Sequence, residues 1–179
     1  MIAGGGEGKD YLAGFCALAR ILAKKDDGSE KQTRGITTSV KDDHLRVLFG
    51  EINNFIQTAK YPLTADKGGP LIVKHRDIRK IILDKNGNKV VCPITYLRGM
   101  VSEAGEGMSG HHAEDNFCII DECSGVSQFV YDSAITWAKS ILMIGNCNSS
   151  DRNHFFRKAV REGDLLAKDE TVSPSLVVG

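Results

Sequence analysis

The chain has 179 residues, with 23 Lys and Arg balanced by 23 Asp and Glu, and 41% of its residues are hydrophobic. That length suits one domain with a sizeable core, and zero net charge excludes a surface coated in basic residues for general nucleic-acid binding, leaving room only for a local basic patch. No apolar run approaches the roughly 18 residues of a membrane helix, and Met1-Ile2-Ala3-Gly4-Gly5 lacks a basic segment followed by an apolar one, so no secretory leader is read. The cysteines (16, 92, 118, 123 and 147) are scattered and form no Cys-x-x-Cys pair, the pattern of reduced, mostly buried thiols.

The first segment, Ala3-Gly4-Gly5-Gly6-Glu7-Gly8-Lys9-Asp10, runs straight into an apolar-periodic stretch. Leu12, Phe15, Leu18, Ala19 and Leu22 recur at helical spacing, which predicts a helix buried along that stripe, with Lys24 and Lys25 in its last turn. A glycine loop opening into a helix suits phosphate: the backbone wraps closely, its N–H groups point inward, and the helix N-terminus favours an anion. The motif calls for Gly-x-x-x-x-Gly-Lys-Ser/Thr. Here Ala3 takes the first position, Gly8-Lys9 fit, and Asp10 replaces the hydroxyl residue that ordinarily ligates magnesium. The alternative is a flexible glycine-rich start. Only Met1 and Ile2 precede the loop, so the chain is read as beginning inside its own first strand, as a fragment of a longer protein.

Residues 26–34 are polar and read as a loop. Gly35–Val40 is β-branched and predicts a strand with a hydroxyl-rich end. Leu48, Ile52, Phe55, Ile56 and Ala59 predict a helix from about Asp42 to Lys60, ended by Pro62 and Gly68-Gly69-Pro70. Residues 71–98 read as short strands (71–74, 80–83, 89–92, 94–97) around an Asn86-Gly87 hairpin, a β-rich edge appended to the sheet. Residues 99–116 are glycine-rich and loop-like. The adjacent His111-His112 raises zinc, but adjacent histidines on an extended loop splay apart and no cysteine or third histidine lies nearby.

Phe117-Cys118-Ile119-Ile120 then leads into Asp121-Glu122. Such an apolar run reads as a buried parallel strand, and in open α/β sheets ligands sit outside the carboxyl ends of the strands. The plain alternative is a strand ending in a solvated acidic turn. Ser127 or Ser124 would cap a short helix to about Ala134. Ser140–Asn146 reads as a second buried strand ending in an amide, and Arg152–Glu162 as a helix carrying Phe155, Phe156 and Val160.

Together these features predict an α/β fold of the P-loop NTPase type, in the additional-strand catalytic-glutamate group: one domain over 1–179, a mainly parallel sheet with helices on both faces, and a β-hairpin-rich insertion around 71–98. ATP and Mg²⁺ are the expected cofactors. Gly4, Gly5, Gly6, Glu7, Gly8, Lys9 and Asp10 would hold phosphates, Asp121 and Asp10 the metal, Glu122 would activate water, and Asn146 would sense the γ-phosphate.

The string Phe117-Cys-Ile-Ile-Asp-Glu-Cys-Ser-Gly-Val126 resembles the "IIDEASG(V/I)" segment of phage terminase large subunits. Gly110-His-His-Ala-Glu-Asp-Asn116 is similar to the "GFHAEN" run before it, and Ile141–Asn146 with Asn153–Phe156 to "LLIGNP…FY". The resemblance implies an N-terminal ATPase motor that drives double-stranded DNA into a procapsid, in the host cytoplasm. Portal protein and a small terminase subunit would be partners, a homo-oligomeric ring would form during packaging, and no membrane is involved. Lys9 would be catalytic with Glu122, and Asn146 would couple hydrolysis to motion. Cys123 stands where the family has alanine. The phosphate loop has no arginine, which leaves Arg98 and Arg152 as arginine-finger candidates. The family's C-terminal nuclease is not among these residues, so DNA cleavage is not expected. The other readings are a helicase-like ATPase and a nucleotide-binding fragment without turnover.

Overall fold

A computed structural model of the chain describes residues 8–101, 113–146 and 153–167, the last five by backbone alone. Ten elements follow in order: α1 (Lys9–Leu22), β1 (Thr33–Ser39), α2 (Asp42–Thr58), β2 (Leu71–Lys74), β3 (Asp77–Leu83), β4 (Lys89–Val101), β5 (Asp115–Ile120), α3 (Gln128–Trp137), β6 (Ser140–Met143) and α4 (Phe155–Ala167). The strands form one sheet in the order β2-β3-β4-β1-β5-β6. β4, β1, β5 and β6 run parallel, while β2, β3 and β4 pair antiparallel.

β5 is buried at every position, as its apolar run requires. Its side chains alternate faces. Phe117 and Ile119 join Ala13, Ala17 and Ile21 of α1 and Leu48, Phe49 and Ile52 of α2. Cys118 and Ile120 join Val130, Ala134 and Trp137 of α3 and Phe155 and Phe156 of α4. The sheet therefore carries two helices on each face. Gly35 of β1 is obligatory at one crowded point, since a Cβ there would sit 2.3 Å from the Phe117 ring.

Three expectations need correction. The buried stripe of α1 is Ala13, Gly14, Ala17, Leu18 and Ile21, while Leu12 and Phe15 are exposed. The cause is a close helix–helix approach: a Cβ on Gly14 would lie 3.3 Å from Ile52, so small residues face α2 and the aromatics lie over its flank, with the Tyr11 ring 4.5 Å from Phe55. The helix also stops at Leu22, and Lys24 and Lys25 lie beyond it, facing Glu30 and Glu114.

The second correction concerns 89–101, which is one 13-residue strand rather than two short ones. Pro93 is tolerated because the β3–β4 register slips at that point, between Arg79 and Ile81, and because pairing with β1 begins only at Tyr96. β4 is thus both a hairpin arm and a member of the parallel core, where an appended edge was expected. Gly99–Val101 and Asp115–Asn116, read as loop, are strand.

Third, β6 ends at Met143 and, as the outer strand of the sheet, is half-buried at every position where a buried strand was expected; α3 extends to Trp137, and α4 begins at Phe155. The Asn86-Gly87 hairpin is present, with Gly87 at φ 81° and the Asp84 carboxylate accepting from the Asn86 and Asn88 amides. No described helix is long and apolar enough to cross a membrane, and the described cysteines (16, 92, 118, 123) are free thiols.

Candidate functional site

The carboxyl edge of the parallel strands gathers the charged residues. β5 ends at Ile120, and the Asp121 N–H donates to the Thr38 carbonyl of β1 at 2.8 Å, continuing the ladder one step beyond the apolar run. Asp121 is 1% exposed and lies on the α1/α2 side by strand alternation. The chain then turns sharply. Glu122 adopts a left-handed conformation (φ 50°, ψ 48°), and its N–H donates to Asp121 Oδ1 at 2.8 Å. A non-glycine residue held there costs about 1–3 kcal/mol, so surrounding contacts must enforce it. They do: the Cys123 N–H donates to the Ile144 carbonyl at 3.0 Å, the Gly125 N–H to the Glu122 carbonyl at 2.9 Å, and Gly145 (φ 151°) packs so tightly that a Cβ would meet Cys123 N at 2.9 Å.

α1 begins at this same edge. Gly8 caps it in the left-handed region (φ 77°). Lys9, 113 residues from Glu122 in sequence, donates its ammonium to Glu122 Oε1 and lies 3.6 Å from Asp121 Oδ1. Asp10 is in the helix's first turn, and its Oδ1 is buried without a hydrogen-bond partner among the described residues. The first turn of α2 completes the wall, with His44 Nδ1 4.0 Å from Glu122 Oε1.

Burial sets the electrostatics. It pushes the Asp121 carboxyl up to about 6, with Asp10 and Glu122 adding to the rise and Lys9 opposing it. Burial also raises Asp10, against the nearby Lys9 charge. Burial pulls the Lys9 ammonium down, but the Glu122 hydrogen bond and the carboxylate charges outweigh it and leave Lys9 raised, firmly cationic.

This has a consequence for stability. Asp121 binds its proton more tightly folded than unfolded, so between its ordinary 3.8 and about 6 the native state holds more protons and loses stability as pH rises. Asp121→Asn removes that cost. We expect the variant to gain about 2–3 kcal/mol over the wild type above pH ~6 and to gain little below pH ~4, read from urea unfolding across pH.

Of the residues singled out in the sequence, Lys9, Asp10, Asp121 and Glu122 come together. Gly8 adjoins them as the α1 cap, and Asn146 follows Gly145 just past β6 on the same edge. Gly4, Gly5, Gly6 and Glu7, His111, His112 and Arg152 lie outside the described residues. Arg98 is committed elsewhere, 3.3 Å from Asp77 Oδ2 and packed on the Tyr96 ring at 5.3 Å. His44 was not singled out. The signal available was its place just after β1, whose end shares the edge with β5.

No protein-family model matches the chain, and no curated protein matches it. Solved structures do. The large terminase ATPase domain of Thermus phage P74-26 superposes with a TM-score of 0.50 at 15% identity over 77% of this chain, and a mutant of that domain scores 0.52 at 13% over 78%. The large terminase of bacteriophage HK97 gives 0.51 at 13% over 88% of this chain. The chain spans 56% of the Thermus phage domains and 31% of the HK97 protein. At these identities the likeness is one of fold: this mixed α/β sheet resembles those of phage large terminase ATPase domains.

Proposed function

We propose that this chain is an ATP-binding and ATP-hydrolysing P-loop motor domain of the large-terminase kind. The observation that carries the reading is the convergence of Lys9 with Asp121 and Glu122, more than 110 residues away in sequence, onto one sheet edge, at a helix N-terminus. The Gly4–Asp10 segment with Lys9 would receive the phosphates. Asp121 and Asp10 would hold Mg²⁺: one is a buried carboxylate of high pKa, and the other has a buried oxygen without a partner among the described residues. Among the described residues no cluster of three His, Cys, Asp or Glu could hold a metal alone. Magnesium is commonly held by one or two carboxylates with the substrate phosphates and water. When bound, the ion would neutralise charge on the transferring phosphoryl group.

Before nucleotide arrives, Lys9 neutralises Glu122. A triphosphate competes for the ammonium, and Glu122, once released, can orient and deprotonate water. The Asp121–Glu122 turn is tied to the segment after β6 through the Cys123–Ile144 hydrogen bond, and this link is the proposed route by which Asn146 would couple hydrolysis to motion. Double-stranded DNA, portal protein, a small terminase subunit and a homo-oligomeric ring in the host cytoplasm are the partners and setting proposed with this reading. The terminase neighbours favour it over a helicase-like ATPase.

Mg·ATP at about 100 times its Kd should stabilise the protein by about 2.7 kcal/mol, seen as a rise in melting temperature. Lys9→Ala should lose most of that rise. An unshifted wild type would refute nucleotide binding by this chain.

A further inference from the structure

Glu122 is held by Lys9 only as long as nothing else takes the ammonium. The same oxygen that Lys9 occupies, Oε1, faces His44 Nδ1 at 4.0 Å, one small movement beyond hydrogen-bond reach. His44 is well anchored for such a role. Its neighbour Leu45 is fully buried, and Leu48, Phe49 and Ile52 fix α2 in the core. Asp42, opening the same turn, is held by Arg46 at 2.9 Å and by Arg76. The Arg76 carbonyl in turn accepts the Gly99 N–H at 2.8 Å, pinning the β2–β3 turn to the end of β4. The His44 side chain is 39% exposed and Glu122 27%, so both can shift without opening the core.

We propose that His44 is a positioning residue for Glu122. On the hydrolysis reading above, on which this inference rests, the phosphates draw Lys9 away. Glu122 then turns its Oε1 to the Nδ1–H of His44, which leaves Oε2 directed at the attacking water. The left-handed backbone at Glu122 fixes where the side chain starts, and His44 fixes where it ends. Without the second point the carboxylate rotates freely once Lys9 has gone.

The test uses Mg²⁺-dependent ATP turnover by His44→Ala, His44→Asn and His44→Gln, with the Mg·ATP-induced melting shift measured alongside. Asn places its amide nitrogen where Nδ1 lies, and Gln places it where Nε2 lies. Outer partners of this kind are worth about 10–100-fold in activity. His44→Ala and His44→Gln should lose kcat by about 10-fold or more, with KM and the melting shift nearly unchanged, and His44→Asn should recover most of the loss. In a Glu122→Gln background His44→Ala should cost nothing further, because the group it positions has gone.

A full rate in His44→Ala, equal rates for the Asn and Gln variants, or an undiminished penalty on the Glu122→Gln background would overturn the role of His44 while leaving hydrolysis intact. Absence of Mg²⁺-dependent turnover in the wild type would instead overturn the hydrolysis reading, and this inference with it.

Discussion

Glu122→Gln is expected to slow ATP hydrolysis by about 10²–10⁴-fold, the usual worth of a positioned general base, while Mg·ATP stays bound. Gln keeps the shape and a hydrogen-bond acceptor but cannot take a proton from water at neutral pH. It also ends the ion pair with Lys9, so Lys9 no longer has to leave a carboxylate to meet a phosphate. Nucleotide affinity should therefore be unchanged or higher. Filter binding of labelled ATP together with single-turnover phosphate release separates the two effects. Loss of binding alongside turnover would mean that Glu122 shapes the nucleotide pocket instead of activating water.

The second large effect is expected at the opposite end of α1. Arg20 pairs with Asp115, the first residue of β5, with Nε 3.3 Å from Oδ2. The same guanidinium donates to Ser140, the first residue of β6, and lies 4.7 Å over the Phe117 ring. Lys31 adds a second cation, 3.3 Å from Asp115 Oδ2. One clasp thus ties the end of α1 to the starts of two parallel strands. Burial raises the Asp115 carboxyl, but the Arg20 hydrogen bond and charge, with those of Lys31, outweigh it and hold it below its ordinary 3.8.

Asp115→Asn leaves two cations facing a neutral group. Breaking a fully buried pair costs about 3–5 kcal/mol. The partial exposure of Arg20 lowers the expectation to about 2–3 kcal/mol in urea unfolding. The sign with pH is set by the lowered pKa: the contribution is full above the unfolded value and fades as pH falls through the folded one. The wild type's advantage should therefore shrink below pH ~4. A gap that stays constant down to pH ~3 would show that the carboxylate's charge is not what holds the clasp.

Much of the frame was legible because burial writes itself into sequence. The Phe117–Ile120 run could be read as a fully buried strand, and Leu48, Ile52 and Ile56 could be read as a helix face. What failed to show was packing that depends on small residues. In α1, Ala13, Gly14 and Ala17 make the interface, while Phe15, the more hydrophobic-looking choice, is exposed. The continuity of β4 through Pro93 was likewise hidden, because a bulge that excuses a proline is a property of the partner strand.

At the candidate site, Lys9 and the Asp121-Glu122 pair could be singled out by motif chemistry. That the lysine would reach both acids followed only from the sheet order and the course of α1 beside it. His44 could not be found from spacing, since it is brought to Glu122 by the parallel pairing of β1 with β5 and by the turn that follows β1.

The Lys9, Asp121 and Glu122 cluster is proposed to hydrolyse a nucleoside triphosphate with magnesium. Phosphate release from ATP by the wild-type chain, in Mg²⁺ and in EDTA, with Lys9→Ala beside it, tests that claim most directly. We expect release that requires Mg²⁺ and falls by about 10²–10³-fold or more when the lysine, a preorganised donor to the transferring group, is removed. Release at the same rate in EDTA or in Lys9→Ala, or none from the wild type under any of these conditions, would contradict it.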